Sequence, residues 1–136
     1  MRWTDALVRE ALELPSVLPP SVYTQVSTDT RTISQDALFV ALKGDRFDGH
    51  DHLAAARDAG ATGAVVRAGT AAVAGLVFYP VEDTLEAYGK LARLRRRAIT
   101  GPVVAIGGAN GKTSTKEMCR AVLGTRYRVH ATPAND

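Results

Sequence analysis

Between Pro102 and Gly124 an apolar run, a glycine-rich turn and a helical pattern follow one another, and that order constrains the fold more than any other feature of the chain. Pro102-Val103-Val104-Ala105-Ile106 reads as a buried strand, with proline tolerated at its first residue. Gly107-Gly108-Ala109-Asn110-Gly111-Lys112-Thr113-Ser114 is the turn, and a helix is expected from Lys112 to Leu123, closed by Gly124. Tyr127 to Ala131 reads as a second strand. Strand, helix and strand make a βαβ unit and hence a parallel sheet. The turn has the chemistry of a phosphate cradle. Glycines admit positive φ and a close backbone approach, the first helical N–H groups point at the anion, and the helix dipole adds about half a positive charge there. In that arrangement Lys112 lies against terminal phosphates and the Thr113 hydroxyl is placed for Mg²⁺. The spacing departs from the common phosphate loop: Ile106 stands five residues before Gly111, where that pattern has glycine. Only the short form G-x-x-G-K-T, Gly108 to Thr113, is present.

The chain has 136 residues, about one domain by length, with 46% hydrophobic and 23% charged residues, which argues against wholesale disorder. Its longest apolar stretch, Ala71 to Val81, is too short and too interrupted to span a bilayer, and no basic start precedes an apolar run to make a secretory signal. The single cysteine, Cys119, excludes an internal disulfide and a cysteine-rich zinc site. A cytoplasmic location is expected. The net charge of +3 is concentrated locally, in Lys90, Arg93, Arg95, Arg96 and Arg97.

Upstream of the turn the pattern is a small α/β domain. Trp3, Ala6, Leu7, Ala11 and Leu14 have helical spacing with Asp5, Arg9 and Glu13 on the opposite face, and Pro15 ends the helix before a stiff Pro19-Pro20 connector. Val22 to Val26 and Ala37 to Leu42 read as strands, separated by the polar run Ser27-Thr28-Asp29-Thr30-Arg31. The stretch His52 to Ala59 reads as a helix closed by Gly60, and Ala64 to Val66 and Leu76 to Val81 as short buried strands. Asp83 and Glu86 have capping-box spacing and open a helix with an apolar face of Leu85, Tyr88, Leu91, Ala92 and Ala98. Thr100-Gly101-Pro102 breaks the pattern, so residues 1–99 and 100–136 are expected to be separate domains.

The short phosphate loop resembles that of the Mur ligases, ATP-dependent enzymes that add amino acids to the peptidoglycan precursor. Ser27-Thr28-Asp29-Thr30-Arg31, Asp36 to Gly44 and Arg46-Phe47-Asp48-Gly49-His50-Asp51 resemble that family's N-terminal substrate domain. Within the family, the K-G-D-R-F-D-G-H-D loop, Thr115-Lys116-Glu117-Met118 and Arg128 to Asn135 are similar to members that add D-alanyl-D-alanine to the UDP-muramoyl tripeptide. The departures are Gly107 where the family usually has threonine, Ala109 where it has serine or threonine, and Ala134 where it has glycine. The resemblance implies an α/β fold with a substrate domain over 1–99 and the opening of an ATP-binding domain over 100–136. It implies ATP and Mg²⁺ as cofactors, ATP held by Gly108, Ala109, Asn110, Gly111, Lys112, Thr113 and Ser114. Lys112 and Thr113 are the catalytic pair it implies, Thr113 holding the Mg²⁺. It places Thr30, Asp45, Arg46 and Phe47 at the uridine diphosphate end of the substrate. The reaction implied is phosphorylation of the tripeptide carboxylate followed by attack of the D-alanyl-D-alanine amine, with no nucleic-acid partner, no membrane insertion and a monomeric whole.

The family's later acidic strand end, modified lysine and amine-binding domain find no match after Gly111, so these residues alone are expected not to turn over. Alternative readings are a non-catalytic UDP-sugar or nucleotide-binding module, and the sibling ligase that adds the third stem-peptide residue. An unrelated phosphate-loop kinase or hydrolase needs a second acidic strand end, and none is found after Gly111. The His50/His52 pair near Asp48 and Asp51 lacks third and fourth metal ligands and is expected to serve the loop and helix cap. Cys119 is expected to pack within a helix, Trp3 to anchor the first helix, and the arginine cluster to be a solvated helix end. For His130, nucleotide contact and strand packing are equal readings.

Overall fold

The computed structural model describes residues 2–15 and 21–132. The Pro19-Pro20 connector and the end of the Arg128 to Asn135 segment, Ala134 included, lie outside the described residues. The chain divides into two compact units, Met1–Thr100 and Gly101–Asp136. The class is α/β, and the parallel sheet stands in the first unit.

That sheet has four parallel strands in sequence order: β3 (Gln25–Ser27), β4 (Ala37–Val40), β5 (Ala61–Arg67) and β6 (Val77–Val81). A separate antiparallel pair joins β1 (Trp3–Thr4) to β2 (Val22–Tyr23). All four residues of β4 are buried, because helices cover both faces, and this is why Ala37 to Val40 reads as an unbroken apolar run rather than an alternating one. Leu38, Val40, Val65 and Tyr79 face α1 (Asp5–Leu12) and α3 (Thr84–Arg97) through Val8, Leu12, Ala87 and Leu91. Phe39, Ala41, Ala64 and Val66 face α2 (Leu53–Asp58) through Leu53 and Ala56. β6 is an edge strand with only Tyr79 fully inside, which accommodates Pro80, a residue with no N–H to donate.

Three expectations are corrected here. The strand predicted over Val22 to Val26 is split at Thr24 into β2 and β3, which belong to different sheets. The apolar face of α3 is Thr84, Ala87, Leu91 and Leu94; Leu85 and Tyr88 are exposed, as are Ala92 and Ala98. α1 turns its Asp5 and Arg9 inward together with Val8 and Leu12, instead of presenting them to solvent. Their burial is possible because each is satisfied. Arg9 Nε donates to both Asp5 oxygens at 3.0 Å, Arg9 Nη1 donates to Pro15 O, and the Tyr79 hydroxyl donates to Asp5 Oδ1 at 2.6 Å. Tyr23 and Tyr79 share a 2.7 Å hydroxyl–hydroxyl bond, and the Arg9 guanidinium lies 4.9 Å from the Tyr79 ring centre. Burial and the bond to Asp5 push the Tyr79 hydroxyl far above its ordinary range, so it stays a donor. Apolar periodicity alone puts the charged side of α1 in water because it does not see partners from β2 and β6. Trp3 is buried, as the start of β1 rather than of the helix.

In the second unit the described residues contain one element, α4 (Lys112–Gly124). The strands predicted over Pro102–Ile106 and Tyr127–Ala131 are absent among the described residues: neither segment has a ladder partner, and Val103, Val104 and Tyr127 are exposed. A strand exists only as part of a sheet, and two strands around one helix are too few to build one. The helix forms because its signals are local.

Asp5→Ala is expected to destabilise the first unit by about 3 kcal/mol or more, since it strands a buried guanidinium and a buried hydroxyl. Glu13→Ala, which removes only the exposed 3.2 Å pair with Lys90, should cost no more than about 1 kcal/mol. Chemical denaturation of the two variants checks the contrast.

Candidate functional site

Parallel pairing sends every connection of the four-stranded sheet out from its carboxyl edge, where open α/β sheets bind ligands. The loop after β3 is a 3-10 turn, Thr30–Thr32, capped by Asp29. Asp29 accepts from Arg31 N at 2.9 Å and pairs with the Arg31 guanidinium at 2.6 Å, which holds its carboxyl down at about 2. Asp29 and Arg31 of the D-T-R motif are thus occupied with each other, and Thr30 is the half-buried residue between them.

The loop after β4 is a tight reversal. Gly44 N donates to Phe47 O at 2.8 Å, Lys43 and Asp48 form an antiparallel bridge, and Gly49 N donates to Leu42 O at 2.8 Å. Gly49 sits so close to the strand end that a Cβ there would lie 2.9 Å from Ala41 Cα and from Leu42 N and O, all backbone. The reversal leaves Asp45, Arg46 and Phe47 exposed at its tip, with the Phe47 ring stacked on His52 at 5.0 Å. Thr30 and residues 45–47 therefore leave the same sheet edge from adjacent strands. Asp48 caps the next turn, accepting from His50 N at 3.0 Å and His50 Nδ1 at 2.6 Å. Those two bonds, with Lys43 3.5 Å away, hold the Asp48 carboxyl below the usual range. His52 is stacked and His50 is bonded on both ring nitrogens, so the pair serves the loop. Among the described residues no group of three or more His, Cys, Asp or Glu could hold a metal.

Beside this loop a cleft of about 550 Å³ opens over the ends of β4, β5 and β6, lined by Lys43, Asp48, His50, Arg67, Thr70 and Asp83, among others. Sequence reasoning missed Lys43, Arg67 and Thr70 as site residues. The available signal was position: Lys43 and Arg67 are the first charged residues after the apolar runs of β4 and β5.

The glycine-rich turn belongs to the second unit. Gly108 has φ +141° and Gly111 φ +77°, conformations that side chains disfavour, and no atom would crowd a Cβ at Gly107 or Gly111. Gly111 is the N-cap of α4 and, having no side chain, makes no cap hydrogen bond. Thr4 and Asp83 do cap α1 and α3. A helix N-terminus with a glycine N-cap and Lys112 as its first residue suits a phosphate group, so the residues present fit a nucleoside triphosphate. Ala109, Asn110, Thr113 and Ser114 are exposed around it and Lys112 is half-buried. Lys116 reaches Thr132 O at 2.8 Å, tying the segment after α4 back to the helix; Cys119 is half-buried and His130 exposed.

A family model described as "Mur ligase family, catalytic domain" matches residues 22–96. The chain belongs to the Mur ligase family. The matched residues lie in the first unit; the glycine-rich turn falls outside them. A UDP-N-acetylmuramoyl-tripeptide--D-alanyl-D-alanine ligase of Bacillus subtilis is 42% identical over 111 residues, covering 81% of this chain and 24% of that relative. A solved UDP-N-acetylmuramoylalanyl-D-glutamyl-2,6-diaminopimelate--D-alanyl-D-alanyl ligase of Acinetobacter baumannii superposes with TM-score 0.77 at 30% identity, over 93% of this chain and 29% of the other. A MurF ligase of Thermotoga maritima, solved in complex with ADP, gives TM-score 0.69 at 32% identity over 82% of this chain and 26% of the other. The chain thus spans about a quarter of the length of the relatives it matches.

Asp29 is a depressed carboxylate, so the support it gives its turn is present above its unfolded value, about 3.9, and is lost as pH falls through about 2. Arg31→Ala should return the Asp29 carboxyl toward the ordinary range, a change readable in a carboxyl-carbon NMR titration.

Proposed function

We propose that the chain is the part of an ATP-dependent amide ligase that holds the UDP end of a UDP-muramoyl tripeptide and the phosphates of ATP, the whole enzyme adding D-alanyl-D-alanine in the cytoplasm. The observation that carries the ATP half is the N-terminus of α4, with Gly111 as its N-cap at positive φ and Lys112 next in line. The names of the Bacillus and Acinetobacter relatives supply the reaction, and the ADP in the Thermotoga structure agrees with the nucleotide. Among the described residues no helix is long and apolar enough to cross a membrane, which is compatible with the proposed location.

In this reading residues 1–99 are the substrate domain and 100–136 open the ATP-binding domain. Thr30 and the Asp45-Arg46-Phe47 tip meet the uridine diphosphate: Arg46 neutralises phosphate charge, the exposed Phe47 ring offers a stacking face, and Asp45 accepts from the uracil N–H. Gly108 to Ser114 wrap the ATP phosphates with backbone N–H groups, and Lys112 offsets the charge on the terminal ones. ATP supplies the phosphoryl group that activates the tripeptide carboxylate. The Thr113 hydroxyl is a single oxygen ligand for Mg²⁺, an ion that keeps several waters and takes few protein ligands. Positioning and charge neutralisation are what such residues contribute to phosphoryl transfer.

Lys112→Ala should weaken ATP binding by about tenfold to a hundredfold, the value of a charged hydrogen bond, and leave UDP binding unchanged. Calorimetric titration with each nucleotide checks this. Equal loss of both, or of neither, contradicts the assignment of separate sites.

A further inference from the structure

The loop that carries the proposed UDP contacts is fastened to the sheet by one side chain. β4 pairs with β5 as far as Val40, and Ala41 N still donates to Val65 O at 3.0 Å. The Arg67 N–H, at the end of β5, donates to His50 Nε2 at 2.9 Å. An imidazole nitrogen that accepts carries no proton, so the proton of the neutral ring sits on Nδ1, where it donates to Asp48 Oδ1 at 2.6 Å. The same carboxylate accepts from His50 N and pairs with Lys43, the first residue of the reversal. A chain of contacts from Lys43 through Asp48 and His50 to Arg67 therefore joins both arms of the 43–49 loop to the neighbouring strand.

We propose that His50 is a positioning residue whose neutral Nδ1–H form latches the 43–49 loop to β5, and whose protonation releases it and weakens ligand binding at the loop tip. This rests on the reading that residues 45–47 meet the ligand. A protonated ring has two donors and no acceptor, so the Arg67 N–H loses its partner and faces a second N–H across 2.9 Å. The charged groups that line the cleft with the ring are Lys43, Asp48, Arg67, Glu82 and Asp83, the last two in the turn after β6. Asp51 lies beside the ring in sequence, on the same turn. Asp48, held below the usual carboxylate range, keeps its charge while the ring titrates, so the two events are separable.

The test is an NMR titration of the ¹⁵N-labelled chain, alone and with UDP. At neutral pH the His50 ring should show a protonated Nδ1 and a bare Nε2. As the ring protonates, the Arg67 amide should lose exchange protection with the same midpoint, and UDP affinity should fall by about tenfold, the worth of one hydrogen bond. His50→Gln keeps an acceptor that does not titrate and should remove the pH dependence from both signals; His50→Ala should lose Arg67 protection at every pH. If His50→Ala does not fold, the wild-type and glutamine titrations decide alone. An Nε2–H tautomer at neutral pH, or an Arg67 amide indifferent to the ring's charge, overturns the latch. UDP affinity unmoved while the latch opens overturns the positioning role. Should UDP bind at no pH while tautomer and amide behave as stated, the latch stands and the reading of the loop as a UDP site fails.

Discussion

Four strands paired in parallel must all begin at one edge of the sheet and end at the other, and everything the first unit offers a ligand depends on that. The connections after β3, β4, β5 and β6 are forced to one edge, so residues far apart in sequence, Thr30, Lys43, Arg67 and Asp83, come to one side of the fold. Burial of β4 on both faces fixes the register, because a one-residue slip would carry Leu38 and Val40 to the α2 face and Phe39 to the other. The loops can then be polar at their tips, since the strands behind them are not free to move.

The Asp5–Arg9–Tyr79–Tyr23 cluster is the second constraint, and the least legible. Every member is buried, and no buried side-chain nitrogen or oxygen among the described residues lacks a partner. The cluster joins α1, β2 and β6, elements up to 74 residues apart, so no local pattern announces it. Sequence spacing correctly places a helix near residues 5–12 but assigns its charged residues to water. Local signals fared better where the cause is local. Asp83 caps α3, accepting from Leu85 N at 2.7 Å and Glu86 N at 3.0 Å, as the capping-box spacing indicates, although Glu86 turns to Lys90.

The same division separates the two candidate sites. The glycine-rich turn and the helix after it were legible, because positive φ at Gly108 and Gly111 and a helix start are properties of a few consecutive residues. Its flanking strands were not, because a strand needs partners that sequence reading supplies by assumption. In the first unit the resemblance pointed to Thr30 and to residues 45–47, and the fold sets both at the carboxyl edge of the sheet. The cleft beside them, with Lys43 and Arg67, emerges only when β4, β5 and β6 are aligned. His50 illustrates the point: its spacing from Asp48 and Asp51 assigns it to the loop, but only the aligned strands bring its Nε2 within 2.9 Å of the Arg67 N–H.

The central claim is that one chain carries two independent nucleotide sites, a uridine diphosphate edge in the first unit and a triphosphate turn in the second. Amide chemical-shift mapping of the ¹⁵N-labelled chain with UDP and with ATP tests it most directly. The account predicts that UDP shifts Thr30 and residues 45–47 while leaving 107–114 in place, and that ATP does the reverse. Both nucleotides perturbing the same residues, or neither perturbing the turn at 107–114, would contradict it.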